Sequence, residues 1–242
     1  MRAFVTLSAS LPPHVCERPR PAPGSEEVLI RIAACGLNFA DLLLMEGRYQ
    51  EQPDFPLIPG MEFAGTVEEA GPDTSLAVGT RVAVYSGHGG LAEFGSFAEH
   101  RCVPLPDNMS FEQAAGFLVA YGTSHLALDH RARLRPGETL LVLGAAGGVG
   151  RTAVEIGKQM GARVVACARG AEKLKIAALA GADHLIDSGT DDLRKEVLKL
   201  GGADVVYDPV GGDWFRAAFR SCNPQARILV IGFASGQVPP IA

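Results

Sequence analysis

The sequence predicts an α/β chain with two parts, a β-rich, barrel-like N-terminal unit and a C-terminal doubly wound parallel sheet. Two observations carry this prediction. Short apolar–polar alternations separated by turns dominate the stretch before about residue 110, whereas strands and helices alternate strictly after Glu138. The strands of the second part are near-continuous apolar runs, as buried parallel strands are. We place the boundary so that residues 1–118 form the first domain and residues 119–242 the second.

Four runs in the first part alternate apolar and polar residues and stop at glycine or proline. They are EEVLIRIAACG, EFAGTVEEAG, GTRVAVYSG and GSFAEHRCVPLP. A period of two is that of a strand with one buried face. Short strands at this spacing indicate an all-β unit of the barrel kind.

A helical stretch joins the two parts. In SFEQAAGFLVAYGTSHLALDH, Ser110 is the predicted N-cap and Gln113 follows three residues later, which is the spacing of a capping box. We expect one or two helices here, ended by a turn at Arg135-Pro136-Gly137.

Repeated strand–helix units follow that turn. The predicted strands are ETLLVLG, ARVVACAR, DHLID, ADVVYD and ARILVIGF, with helices between them. This alternation favours a parallel sheet with helices on both faces. Because nucleotide-binding sheets of this kind usually have six strands, we expect the sequence to be truncated at its C-terminal end.

The strongest motif is the glycine-rich loop LGAAGGVG between the first of these strands and its helix. Gly144, Gly147 and Gly150 give the pattern G-x-x-G-x-x-G, and the following helix offers free N–H groups to a pyrophosphate. The alternative is a tight turn without a ligand. We predict dinucleotide binding by the whole loop, which comprises Gly144, Ala145, Ala146, Gly147, Gly148, Val149 and Gly150.

The end of the second strand of this part indicates which dinucleotide is bound. An NAD site places Asp or Glu there, but the strand ends in Cys167, Ala168 and Arg169. Arg169 and Lys173 supply cations where a ribose 2′-phosphate would need them, which favours NADPH. The alternative is that both are solvated residues at a helix start.

Composition excludes several classes of protein. The 242 residues are 47% hydrophobic and carry a net charge of −5 without a Lys/Arg run, so nothing predicts nucleic-acid binding. No apolar run reaches transmembrane length, and the first ten residues lack the core of a signal peptide. We therefore expect a cytoplasmic protein. The five cysteines are scattered and never spaced as C-x-x-C, which argues against a disulfide framework or a structural zinc lobe.

Six segments of the chain carry a family resemblance: GLNFADLL at 36–43, GRYQ at 47–50, PLIPGMEFAGTVEEAG at 56–71, AYGTSHLAL at 120–128, GAAGGVG at 144–150 and DPVGG at 208–212. Together they resemble the medium-chain dehydrogenase/reductase superfamily, and most closely its zinc-free quinone oxidoreductase (zeta-crystallin-like) branch. The resemblance spans the chain and implies a GroES-like N-terminal domain, a Rossmann domain and a small-molecule substrate. It also implies a homodimer in the full-length form.

The resemblance also indicates whether the protein binds a catalytic zinc ion. Zinc-dependent members carry a Cys ligand at the position of Asn38 and a Gly-His-Glu motif where this sequence has Met61. Amide and thioether groups are poor zinc ligands, and Cys35 lies three residues before the ligand position. We predict that no metal is bound.

Asn38 and Tyr49 are the predicted catalytic residues. The Asn38 amide suits a carboxamide or a substrate oxygen, and the resemblance places it near the nicotinamide, so we count it among the cofactor contacts too. In related enoyl-thioester reductases, a tyrosine at the place of Tyr49 is the proton donor. The alternative for Tyr49 is loop packing with the hydroxyl in water. Asp41 has no predicted catalytic role, because acids are favoured in the first turn of a helix.

Further cofactor contacts are expected in the second part. The resemblance implies that Thr123 reaches the cofactor, although Thr123 could equally cap a helix after Gly122. Val210 follows the fourth strand, and Gly232 and Phe233 follow the fifth, at the edge where open α/β sheets bind ligands. Phe233 could instead be a core residue.

The sequence thus predicts an NADPH-dependent, zinc-free reductase of quinones or α,β-unsaturated carbonyls. Two alternatives stay open. One is an acyl-CoA enoyl reductase of the acrylyl- or crotonyl-CoA type, because the GRYQ and DPVGG segments are shared widely. The other is a non-catalytic NADPH-binding protein. The sequence itself does not specify the physiological substrate.

Overall fold

A computed structural model of the protein describes residues 1–238 and divides into two compact units, Met1–Val119 and Ala120–Ala242. The predicted order, a β-rich unit followed by alternating strands and helices, is confirmed. No helix within residues 1–238 is long and apolar enough to span a membrane.

The first unit is built on a five-stranded antiparallel sheet and a separate two-stranded ribbon. The sheet has the order β6-β3-β4-β5-β7, and the ribbon pairs β1 with β2. The strands are β1 (Arg2–Val5), β2 (His14–Glu17), β3 (Glu27–Gly36), β4 (Glu62–Ala70), β5 (Arg81–Tyr85), β6 (Phe94–Ala98) and β7 (Cys102–Pro104). The helices are α1 (Phe39–Met45), α2 (Phe111–Ala115) and a 3-10 turn, Glu99–Arg101.

The core of this unit explains the period-two pattern. Alternate residues of β3, β4 and β5 meet on one face of the sheet and are excluded from solvent. Burial of such side chains stabilises the fold by roughly 1.5–3 kcal/mol each. The core residues are Val28, Ile30, Phe63, Val67, Val82 and Val84.

The helical stretch that joins the two parts contains two short α-helices and a π-helical segment. Ser110 caps α2 as predicted: its hydroxyl accepts from the N–H of Gln113 (3.2 Å), and the Gln113 side chain accepts from the N–H of Ser110 (3.0 Å). The helix ends at Ala115 with Gly116 as its C-cap, and α3 (Leu118–His125) follows it. A π-helical segment, Leu126–Arg131, continues α3.

The second unit is a parallel sheet with the strand order β10-β9-β8-β11-β12. Its cores lie on both faces of the sheet, as a doubly wound fold requires. Trp214 packs half-buried against one of them. The strands are β8 (Thr139–Leu143), β9 (Arg163–Ala168), β10 (His184–Asp187), β11 (Ala203–Asp208) and β12 (Cys222–Val230). The helices are α4 (Gly148–Gln159), α5 (Ala171–Leu179), α6 (Leu193–Lys199) and α7 (Gly212–Phe219).

Candidate active site

The strand order of the second unit creates a ligand site at one point of its edge. The chain leaves β8 toward β9 on one side and reaches β11 on the other, so the order reverses between β8 and β11. Open α/β sheets bind ligands at such a switch point, outside the carboxyl ends of the strands. The glycine-rich loop follows β8, and Val210 follows β11, so both predicted elements lie there.

The glycine-rich loop is closely packed on itself. A Cβ atom added at Gly150 would lie 2.2 Å from the carbonyl oxygen of Gly144, and Gly144 has a positive φ of 59°. A side chain at Gly150 is therefore sterically excluded, and Gly144 adopts a conformation that other residues rarely adopt. The N–H of Gly147 donates to the carbonyl of Gly144 (2.9 Å), which closes the turn.

The start of α4 offers a place for an anion. Gly147 is the N-cap, the first turn contains no acid, and both Gly147 and Gly148 are exposed. A Cβ atom at Gly148 would meet no protein atom within 4 Å, so the space above this backbone is open. The free N–H groups of the first turn and the positive end of the helix dipole favour a phosphate group here. Ala145 is buried, whereas Ala146 and Val149 are half-buried beside this turn.

Val210, Gly232 and Phe233 gather at the same edge of the sheet. A Cβ atom at Gly144 would lie 3.0 Å from Val210 Cγ2, so Val210 borders the glycine-rich loop. The buried Asp208 carboxylate accepts from the N–H of Val210 (2.7 Å), and the Asp208 carbonyl accepts from the N–H of Gly232 (3.3 Å). Burial raises the pKa of Asp208, and backbone hydrogen bonds oppose this shift. Phe233 is half-buried and lies beside Gly211.

Arg169 and Lys173 are exposed, and within residues 1–238 neither side chain forms a hydrogen bond or an ion pair. Arg169 directly follows β9, where an NAD-binding sheet would carry an acid. The sequence argument missed Asp187, which ends the neighbouring strand β10 beside Arg169. The N–H groups of Gly170 (3.0 Å) and Gly189 (2.8 Å) donate to its carboxylate and lower the pKa of Asp187. This acid is therefore already engaged with backbone groups.

Thr123 lies half-buried in the interior of α3, so the alternative role as a helix cap is wrong. The next residue, Ser124, is fully buried. It was not identified as a candidate site residue from the sequence. Its hydroxyl contacts Thr152 Oγ1 (2.8 Å) in α4 and the Tyr207 hydroxyl (2.9 Å) in β11. This cluster ties α3 to the helix that begins at the glycine-rich loop.

In the first unit, Asn38 is the N-cap of α1 and is held by Asp41. The N–H of Asn38 donates to Asp41 Oδ2 (2.8 Å), and the other carboxylate oxygen accepts from the N–H groups of Gly60 (3.0 Å) and Met61 (3.1 Å). Asp41 is buried, which raises the pKa of its carboxyl, and these three donors oppose the shift. The first-turn position predicted for Asp41 is confirmed, and its burial adds an anchoring role that the sequence did not reveal.

Glu62 is the second buried acid of this site. It begins β4 and is only 2% exposed. Its Oε1 accepts from Asn38 Nδ2 (3.0 Å), and its Oε2 accepts from the N–H of Val119 (2.9 Å). Burial raises the pKa of Glu62, and these hydrogen bonds oppose the shift. Sequence reasoning missed Glu62, because a glutamate in an alternating strand is usually solvent-facing.

Tyr49 is half-buried, and its hydroxyl has no hydrogen-bond partner within residues 1–238. Tyr85, at the end of β5, pairs with Glu62 of β4 in the antiparallel sheet. Tyr85 was not among the candidate site residues predicted from the sequence. Burial and the nearby Tyr49 phenol are the two largest causes that raise the pKa of Tyr85. Two phenols therefore lie close together in this unit.

Cys35 does not have the properties of a nucleophile. Burial, with smaller contributions from Asp41 and Glu62, raises its pKa to about 12, so it is a thiol at neutral pH. Its sulfur donates to the carbonyl of Glu62 (3.3 Å). In the part of the chain from Met1 to Val238, no three His, Cys, Asp or Glu side chains are grouped as metal ligands.

Two segments of the chain match known protein families. Residues 24–107 match the family described as "Alcohol dehydrogenase GroES-like domain". Residues 148–241 match the family described as "Zinc-binding dehydrogenase".

Individual relatives cover most of the chain. Quinone oxidoreductase-like protein 2 of Mus musculus is 41% identical over 228 residues, which are 92% of this chain and 65% of the mouse protein. The chain thus spans just under two thirds of that relative's length. The quinone oxidoreductase of Thermus thermophilus, whose structure is described with its NADPH complex, is 34% identical with a TM-score of 0.87, over 100% of this chain and 76% of that one. The Escherichia coli quinone oxidoreductase complexed with NADPH is 27% identical with a TM-score of 0.91, over 100% and 75%.

Proposed function

The chain belongs to the medium-chain dehydrogenase/reductase superfamily, in its quinone oxidoreductase branch, and on this basis we propose that it is an NADPH-dependent oxidoreductase of quinones or conjugated carbonyls. The observation that carries the proposal is the glycine-rich loop at the switch point of the second unit. Its backbone leaves open space at Gly148, and the next helix begins without an acid. These features fit a dinucleotide pyrophosphate.

Bound NADPH would supply the hydride, and the protein would supply position and polarity. The loop from Gly144 to Gly150 would hold the pyrophosphate on backbone N–H groups. Arg169 and Lys173, which have no ion-pair partners in the described part of the chain, would bind the ribose 2′-phosphate. Further contacts would come from Thr123, Val210, Gly232 and Phe233. In the net reaction, NADPH, a proton and the acceptor would give NADP⁺ and the acceptor reduced by two electrons.

The residues of the first unit would act on the substrate and the nicotinamide. Asn38 would offer polar atoms of its amide to a carbonyl or carboxamide group. Either Tyr49 or water would donate the proton that follows the hydride; the Tyr49 hydroxyl has no partner of its own within residues 1–238.

We propose that this chemistry needs no zinc. The positions at which zinc-dependent members carry ligands hold Asn38 and Met61 here, whose amide and thioether groups bind zinc poorly. The family description that mentions zinc covers residues 148–241, which excludes both positions. Elemental analysis is the test: stoichiometric zinc that is lost together with activity on chelation would overturn this part of the proposal.

The assay is NADPH oxidation by the purified protein with 1,4-benzoquinone, 9,10-phenanthrenequinone and crotonyl-CoA as acceptors. Turnover with a quinone is expected, and absence of turnover with all three would reject the proposal. The variant Tyr49→Phe distinguishes the enoyl-thioester reductase from the quinone reductase. It should abolish most reduction of crotonyl-CoA, whereas quinone reduction should persist, because reduced quinones accept protons from water readily. Tight NADPH binding without any turnover would favour the non-catalytic alternative. Size-exclusion chromatography tests the predicted homodimer.

A further inference from the structure

Glu62 is a buried acid with no cation beside it among the described residues. It is 2% exposed, and no Lys or Arg of residues 1–238 pairs with it. Burial of an ionised carboxylate is costly unless hydrogen bonds satisfy it. Here both oxygens are satisfied, one by the Asn38 side chain and one by the N–H of Val119, and the backbone of Leu118 adds a further hydrogen bond. Such an arrangement persists only if the surrounding residues are built to accommodate it.

Gly36 provides the space for this side chain. A Cβ atom at Gly36 would lie 2.9 Å from both Cγ and Oε1 of Glu62, and 2.2 Å from the carbonyl oxygen of Ala115. Gly36 also ends β3, two residues before Asn38. Because Gly36 has no side chain, it leaves room for the Glu62 carboxylate beside the loop that carries Asn38.

Asn38 is fixed at two points by two different acids. Its backbone N–H donates to Asp41, and its side-chain nitrogen donates to Glu62. A planar amide can rotate by half a turn about its last bond, which exchanges its nitrogen and oxygen. A carboxylate oxygen accepts but does not donate, so Glu62 selects the orientation in which the nitrogen faces it. The amide oxygen is thereby turned away from Glu62 and toward the backbone N–H of Asp41, with which it forms the capping box of α1.

We propose that Glu62 is a positioning residue for the reaction: it fixes the orientation of the Asn38 amide toward the bound ligand, without touching cofactor or substrate itself. This inference rests on the proposed function, which gives Asn38 its ligand contact. A buried partner that fixes a polar side chain lowers the reorganisation needed when the ligand binds.

Glu62 also binds the N–H of Val119, which gives it a structural role at the start of α3. The two roles are separable. A contribution to the start of α3 is present whether or not residue 38 has an amide. A contribution through the Asn38 amide disappears when that amide is removed.

The test is a double-mutant cycle with Glu62→Gln and Asn38→Ala, which measures coupling between the two side chains. The introduced glutamine has the same shape but only one acceptor oxygen, so its amide nitrogen must face either Asn38 or the backbone N–H groups at the start of α3. We expect Glu62→Gln to lower kcat/KM for 9,10-phenanthrenequinone about tenfold in the native background. In the Asn38→Ala background we expect a change of less than about twofold. Glu69→Gln, which removes an exposed charge from the same strand, is the control and should leave kcat/KM unchanged.

Equal losses of kcat/KM in both backgrounds would overturn the inference, because Glu62 would then act independently of Asn38. If Glu62→Gln does not fold, Glu62→Asp replaces it in the cycle, since a carboxylate one methylene shorter cannot reach both donors. If the native protein reduces none of the acceptors, the proposed function fails, and the cycle is measured on the NADPH dissociation constant instead. Coupling there would support the role of Glu62, and its absence would reject it.

Discussion

The Asp41 carboxylate accepts a hydrogen bond from the backbone N–H of Met61, over 3.1 Å. Asp41 lies three residues after Asn38, and the same carboxylate accepts from the backbone N–H of Asn38 (2.8 Å). The segment that begins α1 and the segment that precedes β4 are thus joined by one carboxylate bound to backbone. Asp41 therefore shapes this part of the first unit as an anchor.

Asp41→Asn should destabilise the first unit by about 1–3 kcal/mol, because the amide nitrogen would face a backbone N–H in place of one carboxylate oxygen. Urea unfolding followed by far-UV circular dichroism is the measurement. Asp107→Asn, at an exposed position, is the matched control and should change stability little. Equal stability of the Asp41 variant and the native protein would contradict the anchoring role.

Gly148→Ala should weaken NADPH binding about tenfold or more without loss of stability, as expected where a side chain blocks the approach of a phosphate to a helix N-terminus. An added Cβ at Gly148 meets no protein atom within 4 Å, so any penalty must come from the ligand. Titration calorimetry with NADPH measures the effect. Gly116→Ala, where an added Cβ is equally unhindered, is the control. Unchanged NADPH affinity in the Gly148 variant would place the pyrophosphate elsewhere.

Arg169→Ala should lower the preference for NADPH over NADH by about ten- to a hundredfold, the range expected for one lost charge-assisted contact with a phosphate. The side chain is exposed and has no ion-pair partner within the described residues, so the fold should be unaffected. The ratio of kcat/KM for the two dinucleotides is the quantity to compare. Lys175→Ala, which removes an exposed cation of the following helix, should leave the ratio unchanged. A uniform loss with both dinucleotides would contradict a 2′-phosphate contact at Arg169.

Glu138→Gln should change how the stability of the second unit depends on pH. The Arg227 side chain donates to Glu138 (2.9 Å between Nη1 and Oε1), and this hydrogen bond is the largest cause that lowers the pKa of Glu138. An acid whose pKa is lowered by folding adds stability above its unfolded pKa of about 4.3 and loses that contribution as pH falls through its folded pKa. The variant should therefore have a lower urea midpoint at pH ~7, and the difference should shrink as the pH falls from about 4.5 toward about 3. Equal urea midpoints of the variant and the native protein at pH ~7 would contradict a stabilising role of this ion pair.

The sequence predicted the features that depend on local pattern. Strands β8 to β12 were identified because each contains a compact apolar run and helical segments separate them, and Ser110 with Gln113 formed the expected cap. Residues that act through distant contacts were missed. Glu62 is buried because Gly36 leaves room for it and because its partner Val119, 57 positions away in the chain, is brought beside it. Asp187 escaped notice because it meets the segment after β9 only through the register of β10 against β9. Such contacts require the topology, which period and composition do not contain.

Trp214, the single tryptophan of the chain, lies half-buried against a core of the second unit. Its fluorescence emission therefore reports on that unit alone, whereas circular dichroism reports on both. Since proteins with more than one unit often unfold in more than one step, the two signals together can assign each step to a unit. A spectroscopic label is thus already present in the native chain, and no dye or engineered residue is needed to follow one half of the molecule.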